Sequence, residues 1–355
     1  MSTPADWIRK HQIIAFFLLS ISLMFVLLPL AIYIMPTDNA LGQLGQMFSA
    51  SFAVFSPVLA AIIIYRITSP KPRGGKSKRR WIAFLVSWVV ATTAAYLNME
   101  VIGRVPAPWY SLVMFGGLQA LIPAYVISYA FSSITKLRDF LSSLIRPKGS
   151  LVWYFVAFLT FPICHLVGAL ATSVVEESPF STQNVVMGDI LLSFGITFLH
   201  VFFFAGGVNE ESGWRGFAMK HLQARFSPLV ACLILWLLMV IWHIPNDLTQ
   251  YAHGNYLQVR FLLYPFITIL FSWVYNRTKG SILAPVIFHA SMNSMNPLMG
   301  ILPFTTIGNG LLICFAIYAV IHDKMWRKLS PDHPAVQQPD SQQSVASISR
   351  TPSNE

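Results

Sequence analysis

The chain is divided into apolar blocks of roughly bilayer-spanning length, and this constrains its fold more than any other feature. A helix needs about 20 apolar residues to cross the hydrocarbon layer, because every backbone polar group there must be paired within the segment. Candidate spans lie near Gln12–Met35, Met47–Ile67, Trp81–Asn98, Tyr110–Ser133, Leu151–Val174, Met187–Val208, Ser227–His243, Val259–Asn276, Ser281–Asn296 and Gly308–Ile321. The expected architecture is all-α: a polytopic transmembrane helical bundle of about 8–10 membrane helices. With 55% of its 355 residues hydrophobic and 11% charged, the chain does not read as a soluble protein. The first block is too long for a signal-peptide core and lacks a small-residue cleavage site, so it is expected to remain as a helix.

A net charge of +10 would suit a nucleic-acid binder, but these cations sit in short connections between spans. Arg9 and Lys10, the cluster from Lys71 to Arg80, Lys136 to Lys148, Lys220 and Arg225, Arg277 and Lys279, and Lys324 to Lys328 fall on alternate connections. That is the positive-inside pattern, so the partner is the lipid bilayer and not nucleic acid. It predicts an integral protein of the cell (plasma) membrane with both termini cytoplasmic. Cys164, Cys232 and Cys314 have no paired spacing and read as buried small hydrophobes. Residues 322–355 turn polar and rich in Ser, Gln and Pro, and are expected to be a disordered cytoplasmic tail.

Two acidic pairs interrupt this pattern. Glu176 and Glu177 precede a proline in a predicted outer loop, where solvation accounts for them. Glu210 and Glu211, in "NEESGWRG", abut a phenylalanine-rich span, and a charge inside a bilayer is expensive enough to imply a function. Glu211 and Arg215 are i and i+4 on one helical face, while Glu210 points about 100° away. Depth adds a second argument. From the turn at "ARFSPL", Glu210 and Glu211 lie about 24 Å back and His243 about 24 Å forward. From the turn at "NRTKGS", His289 and Asn293, again i and i+4, lie roughly 15 to 21 Å in. Three consecutive helices therefore bring these groups to similar depth in an intramembrane cavity. If the acids are buried, the crossing is one long tilted helix or two pieces broken at Gly206–Gly207. A cytoplasmic helix start, with the acids at its positive end, is the competing structural reading. His165 and His200 read as satisfied core histidines. Pro245, with Asn246 and Asp247, reads as a helix stop.

A carboxylate in a low-dielectric cavity can act as a general base toward water, and a nearby histidine can carry the proton to a leaving amine. A second histidine with an asparagine amide offers donors to a developing oxyanion. HExxH, GxSG and GxGD, the marks of other intramembrane proteases, are missing. No cofactor is expected. A zinc-dependent version would draw on Glu210, His243 and His289 as ligands.

These residues resemble the motifs of the CPBP family of intramembrane proteases, also called Abi or type II CAAX-endopeptidase-like. That family carries EExxxR, aromatic-xxx-His and HxxxN on successive membrane helices. Here they read "EESGWR" (Glu210–Arg215), "MVIWH" (Met239–His243) and "HASMN" (His289–Asn293), with Met239 where the family commonly has phenylalanine. The resemblance implies an intramembrane endopeptidase acting on a peptide or lipidated protein. It implies Glu210 as water-activating base, His243 as its partner, His289 and Asn293 as oxyanion pocket, and Glu211 and Arg215 as supporting groups. On this view residues 1–186 are N-terminal membrane helices of unassigned role, and 187–321 form the catalytic helical core. A non-catalytic immunity or peptide-binding protein, and a proton-coupled transporter, are the readings of other classes.

Overall fold

The computed structural model describes residues 3–36, 38–70, 78–176, 187–250, 256–298 and 305–337. Among them there is no strand. The helices are α1 (Pro4–Lys10), α2 (Gln12–Pro29), α3 (Ala40–Val54), α4 (Ser56–Thr68), α5 (Lys78–Leu97), α6 (Trp109–Ser128), α7 (Thr135–Ser142), α8 (Val152–Val175), α9 (Met187–Phe204), α10 (Lys220–Gln223), α11 (Pro228–Gln250), α12 (Tyr256–Leu262), α13 (Tyr264–Arg277), α14 (Leu283–Asn293) and α15 (Thr306–His322).

The bundle is a polytopic helical membrane architecture. Among the described residues, six helical stretches are long and apolar enough to cross a bilayer: Gln12–Ile34, Lys78–Ile102, Trp109–Phe131, Val152–Val175, Met187–Gln223 and Pro228–Thr249. A bent pair, α3 with α4, makes a seventh if taken as one span; its halves meet at 68° around Phe55. Pro57 sits in the first turn of α4, where the amide hydrogen it lacks would have no helical partner, so the chain restarts there at low cost.

Of the candidate spans in the sequence, those shorter than a bilayer crossing lie mainly at the C-terminal end. α13 has 14 residues, α14 has 11 and α15 has 17. Ile267 to Tyr275 are all buried, and most of α14 is too. A helix enclosed by protein need not match the hydrocarbon thickness, since its ends are not left facing lipid. α14 packs against α8, α9 and α13, while α11 lies against α2 and α13. Outside this core, α5 and α6 pair closely where Gly116 and Gly117, small residues of α6 that let two backbones approach, meet Ala95, Thr92 and Trp88 of α5.

Three expectations change. Pro245 does not stop its helix: α11 continues to Gln250, and Asp247 is buried within it. Cys232 is buried, but Cys164 is half-buried and Cys314 exposed on the outside of the bundle. The tail expected from residue 322 is packed as far as Gln337, with Gln223 Nε2 donating to Ala335 O at 3.0 Å and Gln337 N to Lys220 O at 3.0 Å. The rest of the tail, Glu177 and the cations at Lys71, Arg73 and Lys76 lie outside the described residues.

Candidate active site

The site forms where α9 is interrupted. The helix ends at Phe204, Gly206 takes φ +116°, and the chain resumes as two widened, π-type turns, Gly207–Glu211 and Trp214–Met219, before α10. The stretch from Met187 to Gln223 is therefore one 37-residue passage with a break near its middle, as the Gly206–Gly207 reading anticipated. π-Turns are commonly found at functional sites, because they shift side chains out of the regular helical register. The broken backbone is bridged by Asn209, whose Oδ1 accepts from Gly206 N at 2.8 Å and whose Nδ2 donates to Val54 O at 3.1 Å. This ties the interruption to the bend between α3 and α4.

Gly206 has a second constraint. A Cβ added there would stand 2.0 Å from His289 Nε2, so the imidazole edge rests directly on the glycine. Both the backbone angle and the contact forbid a side chain. Gly206→Ala is expected to push His289 off its position and to cost about 1–3 kcal/mol in backbone strain alone. Thermal unfolding in detergent, read beside the cleavage assay described below, checks this; a variant with unchanged melting and turnover would remove Gly206 from the site.

The two adjacent carboxylates have different surroundings. Glu211 is fully buried and accepts from Arg215 Nη1 at 3.0 Å and from His289 Nδ1 at 2.8 Å, both at Oε1. Its Oε2 lies 2.9 Å from the same Arg215 nitrogen. Arg215, equally buried, places its guanidinium carbon 4.6 Å from the Phe271 ring centroid. Phe271 also meets the His289 ring edge-on at 5.4 Å. Glu211 thus joins the broken passage to α14 and neutralises a cation inside the bundle.

Glu210 is nearly buried and faces α11. Its Oε2 lies 3.9 Å from His243 Nε2 and accepts no hydrogen bond from a described residue. The indole of Trp214 is close by, but its N–H makes no hydrogen bond of ordinary geometry. His243 Nδ1 is 2.7 Å from Met239 O, a carbonyl that can only accept. Nδ1 therefore carries the proton, and a neutral His243 presents its Nε2 lone pair toward Glu210. Two acceptors face each other at a separation too long for a direct hydrogen bond and suited to a shared hydroxylic donor. The ring is also held edge-on by Trp242 at 4.7 Å, and Trp242 is anchored by its N–H to Ser56 Oγ at 2.9 Å.

The same tautomer argument applies to His289. Its Nδ1 faces the Glu211 carboxylate, so a neutral ring presents Nε2 as an acceptor and donates there only when protonated. Asn293, on the same helix, spends one amide hydrogen on Ala205 O at 3.1 Å, the carbonyl at the α9 break, and keeps one free. The six residues singled out in the sequence therefore gather around the interruption as two linked sets: Glu210 with His243, and Glu211 with Arg215 and His289, with Asn293 at the break. Among the described residues no three His, Cys, Asp or Glu side chains are grouped to hold one ion, Glu210, His243 and His289 included.

Sequence reasoning missed a third pair. Asp247 and Arg260 are both buried and form a two-point ion pair, with Nε donating to Oδ2 and Nη2 to Oδ1, the latter at 2.8 Å. Asp247 is four residues after His243 on α11, hence on its face. A single arginine in "LQVRFLL" was the available signal. By contrast His165 is the core residue expected, buried with Nδ1 2.9 Å from Phe161 O.

Comparison with known proteins points to the same family as the motifs. The model of the Rce1-like type II CAAX prenyl endopeptidases matches residues 192–295, a segment that contains all six site residues and both members of the missed pair. Over this segment the chain is similar to the type II CAAX prenyl endopeptidases, in line with the CPBP-like motifs of its sequence. A curated CAAX prenyl protease 2 from Methanococcus maripaludis is 28% identical over 259 residues, covering 68% of this chain and 91% of that protein. Met239, where CPBP proteins commonly have phenylalanine, serves His243 through its backbone carbonyl. The substitution therefore bears on packing and leaves the hydrogen bond intact.

Proposed function

We propose that this CPBP-like protein is an intramembrane endopeptidase that hydrolyses a peptide bond with water activated by Glu210. The observation that carries this reading is the pair of buried acceptors, Glu210 Oε2 and His243 Nε2, facing each other at 3.9 Å beside a backbone break. A water held between them gives one proton to Glu210 as its oxygen bonds to the scissile carbonyl carbon. The carbon–nitrogen bond then breaks, and the proton is delivered through His243 to the leaving amine. Asn293, with its free amide hydrogen, and His289, when protonated, are the candidate donors to the oxyanion.

Glu211 and Arg215 take the supporting role. They fix the His289 ring and hold the broken turns that aim Glu210 away from their own ion pair. The substrate class that suits a site within a bundle of membrane helices is a membrane-embedded or lipidated peptide. The relative's printed name, a prenyl protease, supports testing prenylated peptides first. The alternation of cationic connections supports cytoplasmic termini in the cell membrane, which tag accessibility in sealed right-side-out vesicles reads directly.

The test is cleavage of a lipidated and an unlipidated peptide library by full-length protein in proteoliposomes, with and without chelator, alongside metal analysis. Cleavage that survives chelation supports the glutamate mechanism. Stoichiometric zinc whose removal stops turnover would replace it, and no cleavage of any peptide would favour a non-catalytic peptide-binding protein.

A further inference from the structure

The mechanism above leaves one buried cation near the reacting pair without a task. Arg260 is 5% exposed, and Asp247 takes its Nε and Nη2. The third nitrogen, Nη1, is buried with no hydrogen-bond partner among the described residues. The guanidinium is not free to turn. Its carbon stands 4.9 Å from the Tyr264 ring centroid, and the backbone carbonyl of Arg260 accepts from Trp236 Nε1 at 2.8 Å. Trp236, His243 and Asp247 all belong to α11, so one helix positions the catalytic histidine and two of the three restraints on this arginine.

Its place is close to the chemistry. Asp247 is one helical turn beyond His243 on the same face of α11, so the ion pair it forms with Arg260 lies beside the reacting pair. A structural ion pair would be complete with the two bonds to Asp247. The unspent Nη1 is instead a permanent donor, held in place by Asp247 on the His243 face of α11, whereas a neutral His289 offers only an acceptor and Asn293 has committed half its amide. Charge reinforces this. Arg215 is balanced by Glu211 and Arg260 by Asp247, so an anionic ligand meets a preoriented guanidinium without displacing another cation's partner.

We propose that Arg260 is a substrate-binding residue that takes an anionic oxygen of the peptide through Nη1, with Asp247 as its positioning residue. This rests on the peptidase reading above. Two parts of a peptide offer that oxygen: the scissile carbonyl as water adds to it, and the C-terminal carboxylate. In the first case the donor strengthens as charge develops, which raises turnover. In the second it binds the ground state and fixes how far from the chain end the cut falls.

The experiment uses full-length protein in proteoliposomes and one cleavable peptide made in two forms, free acid and C-terminal amide, without Asp or Glu. The variants are Asp247→Asn combined with Arg260→Gln, which leaves no buried unpaired charge, and Arg260→Lys, which keeps the ion pair but lacks the fork. If the oxygen is the oxyanion, wild type cleaves both forms alike, and both variants lose about 10²–10³-fold in kcat with KM unchanged. If it is the carboxylate, wild type prefers the free acid by about tenfold or more, and both variants lose that preference through KM. Equal kcat and KM in wild type and folded variants, on both forms, overturns the proposal while leaving the peptidase reading intact. If wild type cleaves neither form, the peptidase reading has failed; binding of the two forms then decides, and equal affinity in wild type and variants overturns the role of Arg260 as well.

Discussion

Replacing Arg215 with alanine is expected to destabilise the protein by about 3–5 kcal/mol, because it leaves the Glu211 charge buried without its counter-ion. Neither side chain has a way out: their relative exposures are 1% and 0%. Glu211 would keep only the His289 Nδ1 hydrogen as a donor, which is too little to stabilise a full charge in the bundle. The cation is also stacked on Phe271, so its removal opens a void beside the ring that braces His289. Paired replacement, Glu211→Gln with Arg215→Met, removes both charges and keeps an acceptor for His289. Its cost should be clearly smaller, as is common when a buried ion pair is replaced by neutral groups of similar size. Thermal unfolding of wild type, single and double variants in one detergent checks both statements. An Arg215→Ala protein that melts with wild type would mean the ion pair does not hold the broken turns.

The second large effect concerns chemistry and not stability. Glu210→Gln and His243→Ala are each expected to lower turnover by about 10²–10⁴-fold while the protein still inserts and folds. Glutamine keeps the shape of Glu210 but cannot accept a proton, so water held there stays a weak nucleophile. Loss of His243 removes the route by which the leaving amine is protonated. The double variant should be little worse than either single one, since the two groups act on the same water and proton. Purified variants with wild-type melting and no loss of turnover would separate this pair from catalysis.

Much of this arrangement was legible in the sequence because it is local. Glu211 and Arg215 are one helical turn apart, and the ion pair follows from that spacing. The break at Gly206–Gly207 was visible as two glycines in a phenylalanine-rich run. Equal depth on neighbouring helices brought His243 to the level of Glu210. What was hidden depends on contacts between residues remote in the chain. That Glu211 and not Glu210 orients His289 is a contact across 78 positions, fixed by how the π-type turns rotate the two acids.

The Asp247–Arg260 pair was hidden for a different reason. Pro245 reads as a helix end in a soluble protein, yet α11 runs through it, so Asp247 stays on the His243 face. The shortness of α13 and α14 was hidden on related grounds. Hydropathy marks them as apolar, but their shortness follows from being enclosed by other helices, which composition does not reveal.

The central claim is the division of labour between two adjacent glutamates, and the most direct measurement is single-turnover cleavage by Glu210→Gln and Glu211→Gln side by side in proteoliposomes, each with its melting temperature. The account predicts that Glu210→Gln melts like wild type and has lost turnover, whereas Glu211→Gln melts lower and retains turnover in its folded fraction. A stable Glu210→Gln protein with wild-type turnover, or a stable Glu211→Gln protein with none, would contradict it.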